Sequence, residues 1–121
     1  MSKKIIVIDD SVAVRQQVGM ALKQAGFDVV EAVDGEQGLA TIRGTKDAAM
    51  AICDVNMPKM SGLEVLESLS KSGSQLPVLM LTTEGKPELV ERAKKNGAKG
   101  WIVKPFKAEL LIAAVKKLTA A

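Results

Sequence analysis

Short apolar runs alternate along this chain with segments in which apolar residues recur every three or four positions. Four of these runs stand directly before reactive polar residues: residues 5–8 precede Asp9 and Asp10, residues 50–53 precede Asp54, residues 78–81 precede Thr82, and residues 101–103 precede Lys104. In an open parallel α/β sheet the carboxyl ends of neighbouring strands converge on one crevice. We therefore expect three carboxylates, a hydroxyl and an ammonium to share one site.

The segments between the runs carry helical periodicity together with signals for helix ends. These end signals are Gly26 after helix one, the capping pairs Asp34 with Gln37 and Ser61 with Glu64 before helices two and three, Pro87 in the first turn of helix four, and Gly97 after it. A further strand is predicted over residues 27–32. Five strands that alternate with five helices predict an α/β fold, with a parallel sheet covered on both faces.

Composition narrows the function classes. The length of 121 residues fits one domain, and 47% apolar and 26% charged residues are ordinary globular values. The net charge of +3 comes from lysines scattered among acids, which disfavours nucleic-acid binding. The apolar runs are much shorter than the ~18 residues of a membrane span, so we expect a cytoplasmic protein that does not enter the membrane.

The residue types also limit the metals that the chain can hold. It has one Cys and no His, so the usual zinc and iron–sulfur ligand sets are excluded. Cys53 lies in a strand-like run, and we interpret it as a small buried hydrophobe, with a reactive thiol as the alternative. Any metal here would be held by oxygen atoms.

Three acids at one sheet edge require a compensating charge. A divalent cation supplies it, and Mg2+ prefers oxygen ligands and bridges carboxylates to substrate phosphates. Asp9, Asp10 and Asp54 therefore favour a phosphoryl group as substrate. The alternative is that Asp9 and Asp10 only cap the first helix at its positive end, which leaves Asp54 and Lys104 unexplained.

Asp54 is a candidate nucleophile, since carboxylates attack phosphorus in enzymes that form aspartyl phosphates. Lys104 would neutralise phosphoryl oxygens, and Thr82 would donate a hydrogen bond to the same group. Taken singly, each has an ordinary alternative: Asp54 as a loop acid, Thr82 as a structural hydroxyl and Lys104 as a solvated charge. Their joint placement favours the site, but these residues alone do not decide which carboxylate is the nucleophile.

Together these positions resemble the receiver domain of two-component response regulators over residues 1–121, as a single domain. The resemblance rests on Asp9-Asp10, Asp54, Val55-Asn56-Met57-Pro58, Ser61-Gly62, Thr82 and Lys104-Pro105-Phe106. It is strongest with the stand-alone, CheY-like chemotaxis branch, because Asn56-Met57-Pro58 and Lys104-Pro105-Phe106 look like the motifs of that branch and no output domain follows. The resemblance implies a flavodoxin-like (βα)5 three-layer sandwich with sheet order 2-1-3-4-5.

The resemblance also implies the site chemistry. Asp54 would take a phosphoryl group from a phosphohistidine on a sensor histidine kinase, and the receiver itself would catalyse the transfer. The donor must lie on another protein, because this chain has no His. The residues that would hold Mg2+ and the phosphoryl group are Asp10, Asp54, the main-chain carbonyl of Asn56, Asp9 acting through a water, Lys104 and Thr82.

A switch is implied as well. Movement of Thr82 would open space for Trp101, and the face of helix four, strand five and helix five would then change its affinity for an output protein. Trp101 stands where Tyr or Phe is more usual, and a packing role is its alternative. Asn56 and Glu84 look like the pair that positions hydrolytic water, although both also suit a solvated loop. Thr83 stands where many receivers have Ala or Gly, and its bulk would narrow access to Asp54.

Smaller points complete the resemblance. The Lys104-Pro105 bond is expected to be cis, and Lys107 is a poor cap for the last helix. The implied partners are the kinase and the output protein, with a phosphatase as a further candidate, and we expect a monomer.

Three alternatives stay open: a scaffold that works without phosphorylation, a Mg2+-dependent phosphohydrolase and a flavodoxin-like mononucleotide binder. The last two fit less well, because adjacent acids follow strand one in place of a spaced pair or a phosphate loop.

Overall fold

The computed structural model describes residues 3–120, which form five strands and five helices in strict alternation. The elements are β1 (Lys4–Ile8), α1 (Val12–Gln24), β2 (Asp28–Ala32), α2 (Gly35–Gly44), β3 (Ala48–Cys53), α3 (Gly62–Lys71), β4 (Val78–Thr82), α4 (Pro87–Lys95), β5 (Gly100–Val103) and α5 (Ala108–Thr119). All strand pairs are parallel, and the order is β2-β1-β3-β4-β5. The predicted fold and strand order are confirmed.

Alternate residues of the strands feed two apolar layers, because successive strand side chains point to opposite faces. On one face Ile6 and Ile8 pack with apolar residues of α2, α3 and α4. On the other face Ile5 and Val7 pack with residues of α1 and α5, including Leu22. The three central strands are therefore apolar on both faces, and they hold the residues that follow them in fixed positions.

The capping residues predicted at the starts of α2 and α3 form the expected hydrogen bonds. Ser61 and Glu64 form a reciprocal capping box, with the Glu64 N–H donating to Ser61 Oγ at 3.2 Å and the Ser61 N–H donating to Glu64 Oε1 at 3.0 Å. The Gln37 N–H donates to Asp34 Oδ1 at 2.8 Å at the start of α2. Within residues 3–120, Lys107 makes no side-chain capping bond at the start of α5. None of the described helices is long and apolar enough to span a bilayer.

Candidate functional site

The adjacent strands β1 and β3 place buried acids at the same sheet edge. The Asp9 N–H donates to the Ala32 carbonyl at 3.1 Å, and the Asp54 N–H donates to the Ile8 carbonyl at 3.0 Å, so each acid continues the strand ladder by one residue. Asp9 is 2% exposed and Asp54 is 7% exposed, whereas Asp10 is exposed. Carboxylate oxygens of the three acids lie within 4.8 Å of one another. The structure thus brings together the acids that the strand pattern predicted would meet.

Lys104 reaches this cluster from the loop after β5. Its Nζ lies 2.8 Å from Asp9 Oδ2 and 3.3 Å from Asp54 Oδ2, and its main-chain N–H donates to the Thr82 carbonyl at 2.8 Å. Desolvation alone would lower the pKa of this ammonium, but the hydrogen bond to Asp9 and the charges of Asp54 and Asp9 together raise it above its ordinary value. Lys104 is therefore protonated at neutral pH. The following peptide to Pro105 is cis, as expected.

One ammonium against three carboxylates leaves a charge that a divalent cation would balance. The donors are all oxygen atoms and their spacing suits one ion, so the cluster fits Mg2+. Asp9, Asp10 and Asp54 would supply the carboxylates. Cys53 does not contribute, because its buried thiol donates to the Asp54 carbonyl at 3.2 Å. Burial, with the charges of Asp54 and Asp9, raises the pKa of that thiol far above its ordinary value.

The chain around Asp54 is tightly folded. The Val55 N–H donates to Asp54 Oδ1 at 2.7 Å, and the Gly62 N–H donates to the Val55 carbonyl at 2.8 Å. A Cβ on Gly62 would lie 2.0 Å from the Asp54 carbonyl oxygen, so only glycine permits this approach of α3. The start of α3 therefore packs directly against the backbone of Asp54.

Thr82 and Thr83 differ in their surroundings. Thr82 is fully buried at the end of β4, and its Oγ1 accepts a hydrogen bond from the Glu84 N–H at 3.3 Å, so the hydroxyl hydrogen is left for another acceptor. Thr83 is exposed and borders a cavity of about 270 Å³ that Lys104 and Pro105 also line. This cavity opens beside the ammonium.

Glu84 connects two residues for which the sequence suggested separate roles. Its Oε1 accepts a hydrogen bond from Asn56 Nδ2 at 3.1 Å, and its main-chain carbonyl accepts one from Trp101 Nε1 at 2.8 Å. The Trp101 ring is half-buried, and a cavity of about 70 Å³ lies against it between α4 and β5. The loop after β4 is thus tied both to the loop after β3 and to the edge strand.

Sequence reasoning missed Arg15. Its side chain on α1 is only 11% exposed, and its guanidinium donates to the main-chain carbonyl of Asp9 at 2.7 Å. The available signal was a cation in the first turns of the helix that follows two acids. Such cations are usually solvated, so the pattern alone does not single this one out.

Comparison with known proteins agrees with the fold. Residues 5–116 match the response regulator receiver domain family. The chain is 34% identical over 111 residues to chemotaxis protein CheY1 of Helicobacter pylori, which covers 89% of this chain and 90% of that protein. Among solved structures, chemotaxis protein CheY4 of Vibrio cholerae is similar, with a TM-score of 0.89, 38% identity, and coverage of 98% and 99% of the two chains.

A second solved structure is the CheX-CheY-BeF3-Mg2+ complex of Borrelia burgdorferi, with a TM-score of 0.92 at 26% identity and coverage of 98% of this chain and 90% of that chain. The chain belongs to the response regulator receiver domain family, and it is of the CheY-like type. Receiver domains are signalling proteins of two-component systems and are not enzymes that turn over a substrate.

Proposed function

We propose that this protein is a cytoplasmic chemotaxis or motility regulator that accepts a phosphoryl group on Asp54 and then changes its binding of an output protein. The observation that carries the proposal is the contact of one ammonium, Lys104, with two buried carboxylates beside an exposed third acid. The donor would be a phosphohistidine on a sensor histidine kinase. Mg2+, held by Asp10, Asp54, the Asn56 carbonyl and, through water, Asp9, would neutralise the phosphoryl oxygens when bound.

The transfer requires one carboxylate and one cation of this chain. A carboxylate oxygen of Asp54 attacks phosphorus, the P–N bond to the histidine breaks, and the imidazole nitrogen keeps the electron pair. Because Val55 N–H already holds Oδ1 at 2.7 Å and Lys104 contacts Oδ2 at 3.3 Å, the carboxylate is oriented before the donor arrives. Lys104 would then neutralise a phosphoryl oxygen. Hydrolysis later releases phosphate and restores the carboxylate.

Phosphorylation would change the conformation of the loop after β4. The Thr82 hydroxyl would turn toward the phosphoryl group, and because Glu84 N–H donates to that hydroxyl at 3.3 Å, the loop would follow. Trp101 is joined to the same loop through the Glu84 carbonyl at 2.8 Å. This path supports a change at the face formed by α4, β5 and α5.

The chemistry of that face suggests the kind of partner. Val103 on β5 is 47% exposed and Leu110 on α5 is 57% exposed, so these elements present apolar side chains to solvent. Exposed lysines lie on the same elements, among them Lys94 and Lys95 of α4. A segment that carries both apolar and acidic side chains would fit. The Borrelia complex, which contains CheX, CheY, BeF3 and Mg2+, supports a magnesium-dependent and partner-binding role.

The deciding experiment is the intact mass of the protein after incubation with Mg2+ and acetyl phosphate. We expect one added phosphoryl group, which disappears after the donor is removed and is absent in Asp54→Asn. Asp47→Asn is the matched control, because Asp47 is an exposed acid paired with Lys4 at 2.8 Å, outside the acid cluster. A wild-type protein that gains no phosphoryl group would favour a scaffold that works without phosphorylation.

A further inference from the structure

Arg15 is a largely buried cation next to the acid pair, and the proposed transfer does not use it. Its Nη1 donates to the main-chain carbonyl of Asp9 at 2.7 Å, and its Nε donates to Glu31 Oε1 at 2.9 Å. The Arg15 side chain is 11% exposed, while that of Glu31 is 48% exposed. The guanidinium therefore connects the end of β1 to the neighbouring strand β2. The exposed carboxylate of Glu31 balances its charge.

The carbonyl that Arg15 holds belongs to the peptide unit between Asp9 and Asp10. Because a peptide unit is planar, an anchored carbonyl also orients the Asp10 N–H and the direction in which the Asp10 Cα leaves. The preceding peptide is anchored as well, since the Asp9 N–H donates to the Ala32 carbonyl at 3.1 Å. The backbone at Asp9 is thus held on both sides.

Asp10 depends on this backbone more than its neighbours do. Asp9 is held through its side chain, with the Ser11 N–H on Oδ1 at 2.9 Å and Lys104 on Oδ2 at 2.8 Å. Among residues 3–120 no group donates a hydrogen bond to the exposed Asp10 carboxylate, which nevertheless lies within 4.8 Å of the other two acids. Its location is set by the main chain that carries it.

The geometry points to Arg15 as a positioning residue of the metal site, which fixes the peptide before Asp10 so that this carboxylate meets those of Asp9 and Asp54. This inference rests on the proposed Mg2+-dependent function. A charge-assisted hydrogen bond to a carbonyl is stronger than a neutral one. Loss of a partner that orients a metal ligand typically weakens metal affinity by about 10- to 100-fold.

Loss of the Arg15 charge and loss of its hydrogen bond to the Asp9 carbonyl should change the Mg2+ affinity in opposite directions. An experiment can therefore separate the two effects. Removing the Arg15 charge leaves Glu31 unpaired, and the added negative potential near the site would strengthen Mg2+ binding. Removing the Glu31 charge leaves Arg15 unpaired and would weaken binding slightly. Weaker binding after loss of Arg15 therefore cannot come from its charge.

The test compares Arg15→Met, which keeps the apolar stem and removes the donors, with Glu31→Gln, which removes only the ion pair. We expect the Mg2+ dissociation constant from calorimetry to rise about tenfold or more in Arg15→Met and to change by less than about twofold in Glu31→Gln. The NMR amide signal of Asp10 should shift in Arg15→Met and stay near its wild-type position in Glu31→Gln. Urea unfolding of both variants measures any general loss of stability.

Each outcome decides the inference. Unchanged or tighter Mg2+ binding in Arg15→Met would overturn it, and so would an equal loss in both variants, because the ion pair would then be the cause. If Arg15→Met does not fold, Arg15→Leu takes its place, since it also removes every donor of the side chain, and wild-type affinity in that variant overturns the inference. A wild-type protein that binds no Mg2+ and takes no phosphoryl group would overturn the proposed function and this inference together. Normal wild-type behaviour with unaltered variants overturns the inference alone.

Discussion

The indole N–H of Trp101 donates to the main-chain carbonyl of Glu84 at 2.8 Å, and Asn56 donates to the side chain of the same glutamate at 3.1 Å. One residue therefore joins the aromatic ring of the proposed switch to the loop that would hold the ion. The two bonds use different parts of Glu84, so mutation can separate them.

Glu84→Ala removes the carboxylate and keeps the main-chain carbonyl. We expect the phosphoryl group on Asp54 to last several times longer, because water near the acid is no longer oriented, while the Trp101 emission of the unphosphorylated protein stays the same. Intact mass followed over time after donor removal measures the lifetime. Glu88→Ala, an exposed glutamate in the first turn of α4, is the control. Equal lifetimes in wild type and Glu84→Ala would remove Glu84 from the hydrolytic step.

Trp101→Phe is the complementary change, since it keeps an aromatic ring and removes the N–H donor. The part-buried Glu84 carbonyl then loses its partner, and we expect the free energy of unfolding to fall by about 1 kcal/mol. Urea unfolding followed by circular dichroism provides the measurement. A variant as stable as wild type would mean that water replaces the indole at no cost.

Lys104→Met leaves Asp9 and Asp54 without the cation that contacts both. We expect the free energy of unfolding at pH 7 to drop by about 2 kcal/mol, because two buried carboxylates lose a charged partner. We also expect tighter Mg2+ binding, since the ion no longer competes with the ammonium. Denaturation with and without Mg2+ checks both effects, and Lys59→Met, whose ammonium lies 3.8 Å from Asp34 and is largely exposed, is the control. Weaker Mg2+ binding in Lys104→Met would contradict the expected competition.

Gly62→Ala tests the close approach of α3 to Asp54. The new Cβ would lie 2.0 Å from the Asp54 carbonyl oxygen, so the backbone must shift, and we expect a loss of about 1–3 kcal/mol of stability. The control is Gly44→Ala at the end of α2, where no heavy atom of the described chain lies within 4 Å of the added Cβ, and where a small gain of about 0.4–1 kcal/mol is expected. Similar unfolding midpoints for the two variants would show that the loop adapts freely.

Cys53 should be inert in the folded protein. Its thiol is fully buried, and its pKa is raised by burial and by the charge of Asp54, so a thiol reagent should react only after unfolding. As the pH rises above about 8.5, the unfolded thiol ionises while the folded one does not, and this group alone lowers stability by about 1.4 kcal/mol per pH unit. Cys53→Ala should lack this decline relative to wild type. Fast labelling of the native protein would contradict the burial.

The sequence was most informative where the physics is local or topological. Alternating strand and helix periods predicted every element, and the capping pairs at Asp34 and Ser61 depend on residues three positions apart. The meeting of Asp9, Asp10, Asp54 and Lys104 followed from a general rule, because parallel strands bring their carboxyl ends to one edge. The roles of these residues in phosphoryl transfer stay predictions.

Only the tertiary structure decided which side chains hold one another. Lys104 meets Asp9 across 95 positions of sequence, Trp101 meets the carbonyl of Glu84, and Arg15 turns inward to the carbonyl of Asp9. Periodicity tells which face of a helix is buried, but it carries no information about the rotamer that a long cation or an indole adopts. Those choices depend on packing and on unpaired main-chain acceptors that exist only when distant elements have come together. The sequence by itself determined the scaffold and the residues at its edge, and the folded chain determined how that edge is held.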